Sequence, residues 1–290
     1  MQQRVTVSLA QCDAVLGGVE SNLQAHLQAI ERARKAGAQL VVFPELSLTG
    51  YHLRDLTPEV ALAADDARLQ PLRDASRGID VVLGWIEESP EHQLFNAAGY
   101  FSGGKLLHVH RKIYPVTYGM FEESRYWAAG DQVAAFDTAY GRAGLLICED
   151  MWHPSTSYLL YADRADVIIT LSASPARGIG AHEPQGAQGP GSSRTWEALL
   201  RQQSAAFNVY SVYVNRCGVE DGTTFAGGSR VIDPYGEAVL SLDLEPRQES
   251  AVLDPAVLRR RRAALPLLRD ERLDVTLGNL ERIARDRFVY

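Results

Sequence analysis

Cysteine is scarce in this chain: Cys12, Cys148 and Cys217 are the only three among 290 residues. An odd number cannot pair completely, and their spacing fits no zinc-binding pattern. Free thiols point to a reducing, cytoplasmic setting. Basic residues are also short, 29 Lys and Arg against 36 Asp and Glu, which leaves a net charge of −7 and a pI near 5.5. A nucleic-acid binder wants a basic face, so no nucleic-acid partner is expected, and the charge mainly favours solubility. No apolar run approaches the roughly 20 residues of a spanning helix. The opening MQQRVTVSLAQCD runs straight into an alternating pattern without the apolar core of a signal peptide, so no membrane association is expected. No linker is rich enough in Ser, Gly or Pro to divide the chain, and no internal repeat is found. One domain over residues 1–290 is expected.

What is present reads as an ordinary core-forming protein, 46% hydrophobic and 22% charged. Val5 to Cys12 alternates like a strand. Leu23, Leu27, Ile30 and Ala33 fall at helical spacing within Asn22 to Ala36, with Gly37 as the C-cap. Gln39 to Phe43 is a short apolar run that suits a strand buried on both faces. Strands are predicted at Ile79–Ile86, Phe95–Phe101, Lys105–His110, Ala143–Cys148, Val167–Ser172, Tyr210–Asn215, Ser229–Asp233, Ala238–Leu242 and Glu249–Leu253. Helices are predicted at Ser155–Arg164 and Ser193–Ala206. This alternation makes the chain α/β. Arg177 to Ser193 is one irregular stretch, long enough to suggest a functional loop over a pocket.

Three fragments carry chemistry. GLLICEDMW ends an apolar run at Cys148, VVFPELSLTGY places Glu45 after another, and HVHRKIYPVTYGMFEESRYWAAGD places Lys112 after HVHR. A thiol, a carboxylate and an ammonium at the mouths of predicted strands make a nucleophile, a base and an oxyanion donor. A nearby cation is expected to lower the thiol pKa. Pro44 stiffens the chain before Glu45, and a sharp turn at Cys148 would aim the following N–H at an oxyanion. Singly, each residue has a plain alternative: a packed cysteine, a solvated Glu, a surface Lys. His108 and His110 share a strand face, but no third ligand stands at a useful spacing, so neither metal nor cofactor is expected. Cys12 and Cys217 read as packing residues, Gly227-Gly228 as a turn, and Arg259 to Arg262 as a solvated tail or subunit contact.

The order Glu45, Lys112, Cys148, with these flanks, resembles the nitrilase (carbon–nitrogen hydrolase) superfamily from Val5 to about Glu281. That resemblance implies a four-layer α-β-β-α sandwich of two mixed sheets with helices outside, and a thiol amidohydrolase acting on a small-molecule amide through a Cys148 thioester. It implies a homo-oligomer, with residues from about 255 to 290 as a possible subunit contact. Glu123, eight residues before Asp131, matches the superfamily's second glutamate and is preferred over Glu122. The residue after the cysteine is Glu149 where nitrilases proper carry Trp, which lowers the nitrile reading. ICEDMW, KIYPVTYGMFEESRYW and VNRCGVEDGTTFAGGS are most similar to the glutaminase domain of glutamine-dependent NAD synthetases. By that similarity Tyr51, Phe121 and Glu149 line the pocket, with Glu149 able to pair with a substrate α-amino group. Tyr118, Ser172 and Ser174 are further expected contacts. Tyr114-Pro115-Val116-Thr117-Tyr118 departs from the family's Leu-Pro-Asn-Tyr. No Ser-Gly-Gly-x-Asp-Ser pyrophosphatase loop occurs, so a stand-alone amidase is expected rather than an ammonia-supplying glutaminase subunit.

Overall fold

In the computed structural model, which describes residues 1–177 and 190–288, two sheets face one another. The first runs in the order Arg247–Leu253, Val5–Gln11, Leu40–Val42, Asp80–Glu88, Leu94–Ser102, Lys105–Arg111. The second runs Ala238–Ser241, Arg230–Ile232, Tyr210–Asn215, Val167–Ser172, Gly141–Ile147, Phe136–Thr138. Both are mixed. Val5–Gln11 pairs parallel to Leu40–Val42 and antiparallel to Arg247–Leu253, and Tyr210–Asn215 is likewise parallel to one neighbour and antiparallel to the other.

The two-residue period of a strand explains the layers. Val7, Leu9, Leu40, Val42 and Val82 of the first sheet meet Leu145, Ile147, Ile169, Leu171, Val212 and Val214 of the second in one buried core. The residues between them point the other way. Val41, Phe43, Val81, Leu83 and Trp85 pack under Leu23, Ala29, Ile30 and Ala33 of the helix Val19–Lys35 and under Leu72. Leu146, Ile168, Tyr213 and Ile232 pack under Leu160, Trp196 and Leu200 of the helices Pro154–Ala162 and Gly191–Phe207. The result is the α-β-β-α sandwich.

The helix Val19–Lys35 ends as predicted at glycine. Gly37 takes φ +81°, its N–H donates to Arg34 O, and the Ala38 N–H donates to Ala33 O. This is the paired bonding of a left-handed C-terminal cap. The stretch from 255 onward is no loose tail: it forms the helices Pro255–Ala264, Leu267–Asp270 and Leu273–Arg287. The arginine run sits on the first of these: Arg259 and Arg260 are exposed, and Arg261 and Arg262 are tied down. Arg262 reaches Asp166 at 2.7 Å and Arg261 reaches Asn208 at 2.9 Å. Gly227 and Gly228, at φ +53° and +72°, do not close the expected turn; their N–H groups donate to Arg216 O and Asp243 O, both at 2.9 Å. Residues 178–189, most of the loop suggested as a pocket cover, lie outside the described residues.

Candidate active site

Glu45, Lys112, Glu123 and Cys148 come from four separate segments and meet at one end of the sandwich. Glu45 follows the strand Leu40–Val42 on a segment that turns at Leu46, φ +50°. Gly84 of the neighbouring strand makes that path possible. A Cβ there would lie 2.5 Å from Leu46 N and 3.1 Å from Glu45 Cα. Lys112 directly follows the strand Lys105–Arg111. Its carbonyl accepts from the Gly130 N–H at 2.8 Å, and a Cβ on Gly130 would strike Arg111 O. The Gly-Asp motif thus begins with a glycine forced by close approach.

Cys148 ends the apolar run of Gly141–Ile147 and opens a short turn, Cys148–Trp152, with φ at +48°. A non-glycine residue rarely takes this conformation, which costs on the order of 1–3 kcal/mol and clusters at functional sites.

The polar wiring is dense and buried. Glu45, 1% exposed, accepts from Lys112 Nζ at 2.9 Å and Asn96 Nδ2 at 2.7 Å on one oxygen. Its other oxygen accepts the Ala173 N–H at 2.7 Å. Lys112, also 1% exposed, donates to Glu123 Oε1 at 2.8 Å. Glu123 further accepts from the Tyr51 hydroxyl and from the Val116 N–H at 3.0 Å. The Ser172 hydroxyl donates to Cys148 Sγ at 3.4 Å. Since Ser172 and Ala173 are adjacent, one short segment joins the thiol to the carboxylate.

Burial opposes the charge on Lys112, but the Glu123 and Glu45 carboxylates override it and hold its pKa well above the usual lysine value. Glu123 is raised by burial, with Lys112 pulling the other way. Cys148 departs from the expectation of a lowered thiol pKa. Burial, then the Glu45 charge, pushes it up, and Lys112 only partly compensates. These surroundings favour the neutral thiol over the thiolate.

Among the expected pocket residues, Tyr51 and Phe121 meet edge-to-face at 6.3 Å and, with Glu123, line a cavity of about 250 Å³ whose lining does not include Cys148, Glu45 or Lys112. The Arg177 guanidinium lies 5.3 Å from the Phe121 ring centre. Tyr118 is exposed and donates to Glu149 Oε2 at 2.9 Å. Burial, then Glu149, pushes its pKa up to about 12. Ser172 sits beside the thiol. Ser174 is engaged elsewhere, its hydroxyl accepting from Trp196 Nε1 at 2.9 Å. The histidines have structural roles: His108 stacks on Phe136 with ring centres 4.2 Å apart, and His110 bonds Asp150 at 2.8 Å. Among the described residues no group of three His, Cys, Asp or Glu could hold a metal.

Sequence reasoning missed Asn96, Tyr213, Asp150 and the pair Arg216–Glu220. Buried Tyr213, whose titration feels Ser172 and Cys148, is held well above the usual tyrosine pKa by burial. Glu220 Oε1 accepts the Tyr51 and His52 N–H groups at 2.9 and 2.7 Å. Fully buried Arg216 lies 2.7 Å from the other Glu220 oxygen, misaligned for a hydrogen bond, so that contact is ionic. These groups hold Tyr51 in place, and nothing near Tyr51 in the sequence announces them.

A family model described as carbon-nitrogen hydrolase matches residues 6–262. A glutamine-dependent NAD(+) synthetase of Thermotoga maritima is 30% identical over 270 residues, covering 87% of this chain and 44% of that protein. This chain thus spans less than half the length of that relative. The structure of a glutamine-dependent NAD+ synthetase from Acinetobacter baumannii superposes with a TM-score of 0.77 at 28% identity, over 88% of this chain and 47% of the other. An amidase from Nesterenkonia sp. AN1, captured after Michael addition of acrylamide at its active-site cysteine, gives 0.74 at 26% identity, over 90% of this chain and 98% of the other.

Proposed function

Since this chain belongs to the carbon–nitrogen hydrolase family, we propose that it is a thiol amidohydrolase, cleaving a small linear amide to a carboxylate and ammonia. Glu45 removes the Cys148 proton as sulfur attacks the amide carbonyl. Lys112 and the N–H following Cys148 receive the developing oxyanion. The tetrahedral adduct collapses, the C–N bond breaks, and Glu45 passes its proton to the departing nitrogen. Glu45 then deprotonates water, which adds to the thioester and frees the acid and the thiol. Glu123 keeps Lys112 charged throughout. No step consumes a cofactor.

One observation carries this reading: the Glu45 carboxylate is locked by Lys112, Asn96 and the Ala173 N–H beside a strained Cys148. A protonated thiol next to a fixed carboxylate calls for proton transfer during attack. Cys148→Ala is expected to abolish ammonia release and leave folding intact, and Glu45→Gln to remove the base while preserving shape. Either variant keeping wild-type turnover would sink the proposal.

A second reading has specific support. The similar synthetases are named for glutamine, and Glu149 sits beside Cys148 with its carboxylate bound to Tyr118. A carboxylate so placed suits the ammonium of an amino-acid amide. Under this reading glutamine is hydrolysed and the ammonia serves a synthetase. Ammonia release from glutamine that collapses in Glu149→Ala, with other amides inert, would select it. A nitrile substrate has no such support.

A further inference from the structure

Asp150 is completely buried, and all of its acceptor capacity is used. Its Oδ1 accepts the backbone N–H groups of Ile113 at 2.9 Å and Tyr114 at 3.1 Å. Its Oδ2 accepts the Ile147 N–H at 3.0 Å and meets His110 Nε2 at 2.8 Å. A carboxylate cannot donate, so the His110 proton sits on Nε2. Those four donors lie on two segments. Ile147 immediately precedes Cys148, while His110, Ile113 and Tyr114 flank Lys112. One side chain therefore spans the two segments that present the thiol and the ammonium. A second contact repeats the tie, since Tyr114 stacks on His153 with ring centres 3.5 Å apart.

We propose that Asp150, oriented by His110, is the positioning residue that fixes Cys148 and Lys112 relative to each other and holds Cys148 in its left-handed turn. This rests on the amidohydrolase reading. Asp150 exchanges no proton with substrate and acts only through what it holds. Its charge matters as well as its shape: four converging donors fit a carboxylate and not an amide, whose NH2 would face two of them. Misplacing reacting groups by about 1 Å costs on the order of 10²-fold in rate.

The test compares Asp150→Asn, His110→Ala and His110→Gln with the wild type. The readouts are kcat and KM for an amide, and the pH dependence of Cys148 alkylation by iodoacetamide. The charges acting on that thiol come from Glu45, Lys112 and Glu123, and the nearby hydroxyls from Tyr51, Tyr118, Tyr213 and Ser172. Asp150→Asn is expected to lower kcat roughly 10²-fold with KM within about threefold. Its alkylation profile should move to higher pH as the ammonium drifts from the sulfur. His110→Ala should show a smaller version, and His110→Gln, which keeps a donor, should recover part of it. A folded Asp150→Asn with unchanged kcat and alkylation profile overturns the proposal. If Asp150→Asn does not fold, the histidine pair decides: equal kcat and profiles in His110→Ala and wild type overturn it. Alkylation requires no turnover, so a wild type inactive on every amide would sink the amidohydrolase reading while the alkylation profiles still judge Asp150.

Discussion

Removing Lys112 has two separable consequences, because one buried ammonium stands between two buried carboxylates. Lys112→Ala is expected to lose roughly 10²–10³-fold in kcat if its nitrogen is the main oxyanion donor. It should also lose about 3–5 kcal/mol of stability, since Glu45 and Glu123 would then face each other unpaired. Urea denaturation beside steady-state kinetics checks both, and a variant as stable as the wild type contradicts the burial argument. At this scale the sequence was most readable where chemistry follows a strand directly: Glu45 and Cys148 each lie just past an apolar run, and Lys112 just past the strand Lys105–Arg111. Asp150, Asn96 and Arg216 were opaque for the opposite reason. Asn96 bonds a carboxylate 51 positions away and Asp150 a histidine 40 away, and no local pattern reports such partners. The thiol pKa was misjudged because a neighbouring cation is visible in the motif whereas burial is not.

At the scale of elements, two of the contacts that fix the loop carrying Glu45 can be tested separately. One is the glycine crossing. Gly84→Ala would force a Cβ against the backbone of Glu45 and Leu46, which cannot yield as a side-chain tip would. Overpacking of this kind costs about 1–3 kcal/mol, and kcat should fall with it. Unchanged kinetics and melting temperature would show that the crossing is loose. The other contact is His26 on the helix Val19–Lys35, with Nδ1 donating to Asn22 O at 2.6 Å and Nε2 accepting from the Ser47 hydroxyl at 2.9 Å. Burial lowers its pKa from 6.5 to about 4. The folded state therefore prefers the neutral ring, and the unfolded state binds more protons between these values. The resulting stability is fully present above pH 6.5 and is lost as pH falls toward 4, in all roughly 3 kcal/mol. His108, lowered to about 4 by burial, acts in the same direction. Denaturation curves at several pH values should show this decline, and His26→Gln should flatten it; parallel curves would refute the assignment.

The strands were legible because each alternate residue faces a different buried layer, which leaves a two-residue period or a solid apolar run. The last helix was not, because Leu273–Arg287 buries none of its residues in this chain. Its apolar positions answer to no core within the chain, so the segment read as a tail.

That unpacked helix matters for the whole molecule. Leu273, Leu277 and Leu280 fall on one face and are 52%, 55% and 59% exposed. Two copies laid antiparallel would cover the stripe. The homo-oligomer expected from the resemblance is proposed to form here, and Leu277→Glu with Leu280→Glu is predicted to yield monomers in sedimentation velocity. A monomeric wild type would contradict it.

The central claim is amide hydrolysis at Cys148. The decisive measurement is ammonia release from glutamine, ω-amides of dicarboxylic acids, aliphatic amides, N-carbamoyl amino acids and nitriles, with Cys148→Ala in parallel. The account predicts turnover within the amide classes, glutamine included, that vanishes in the variant. Turnover that survives Cys148→Ala, or appears for nitriles alone, would contradict it.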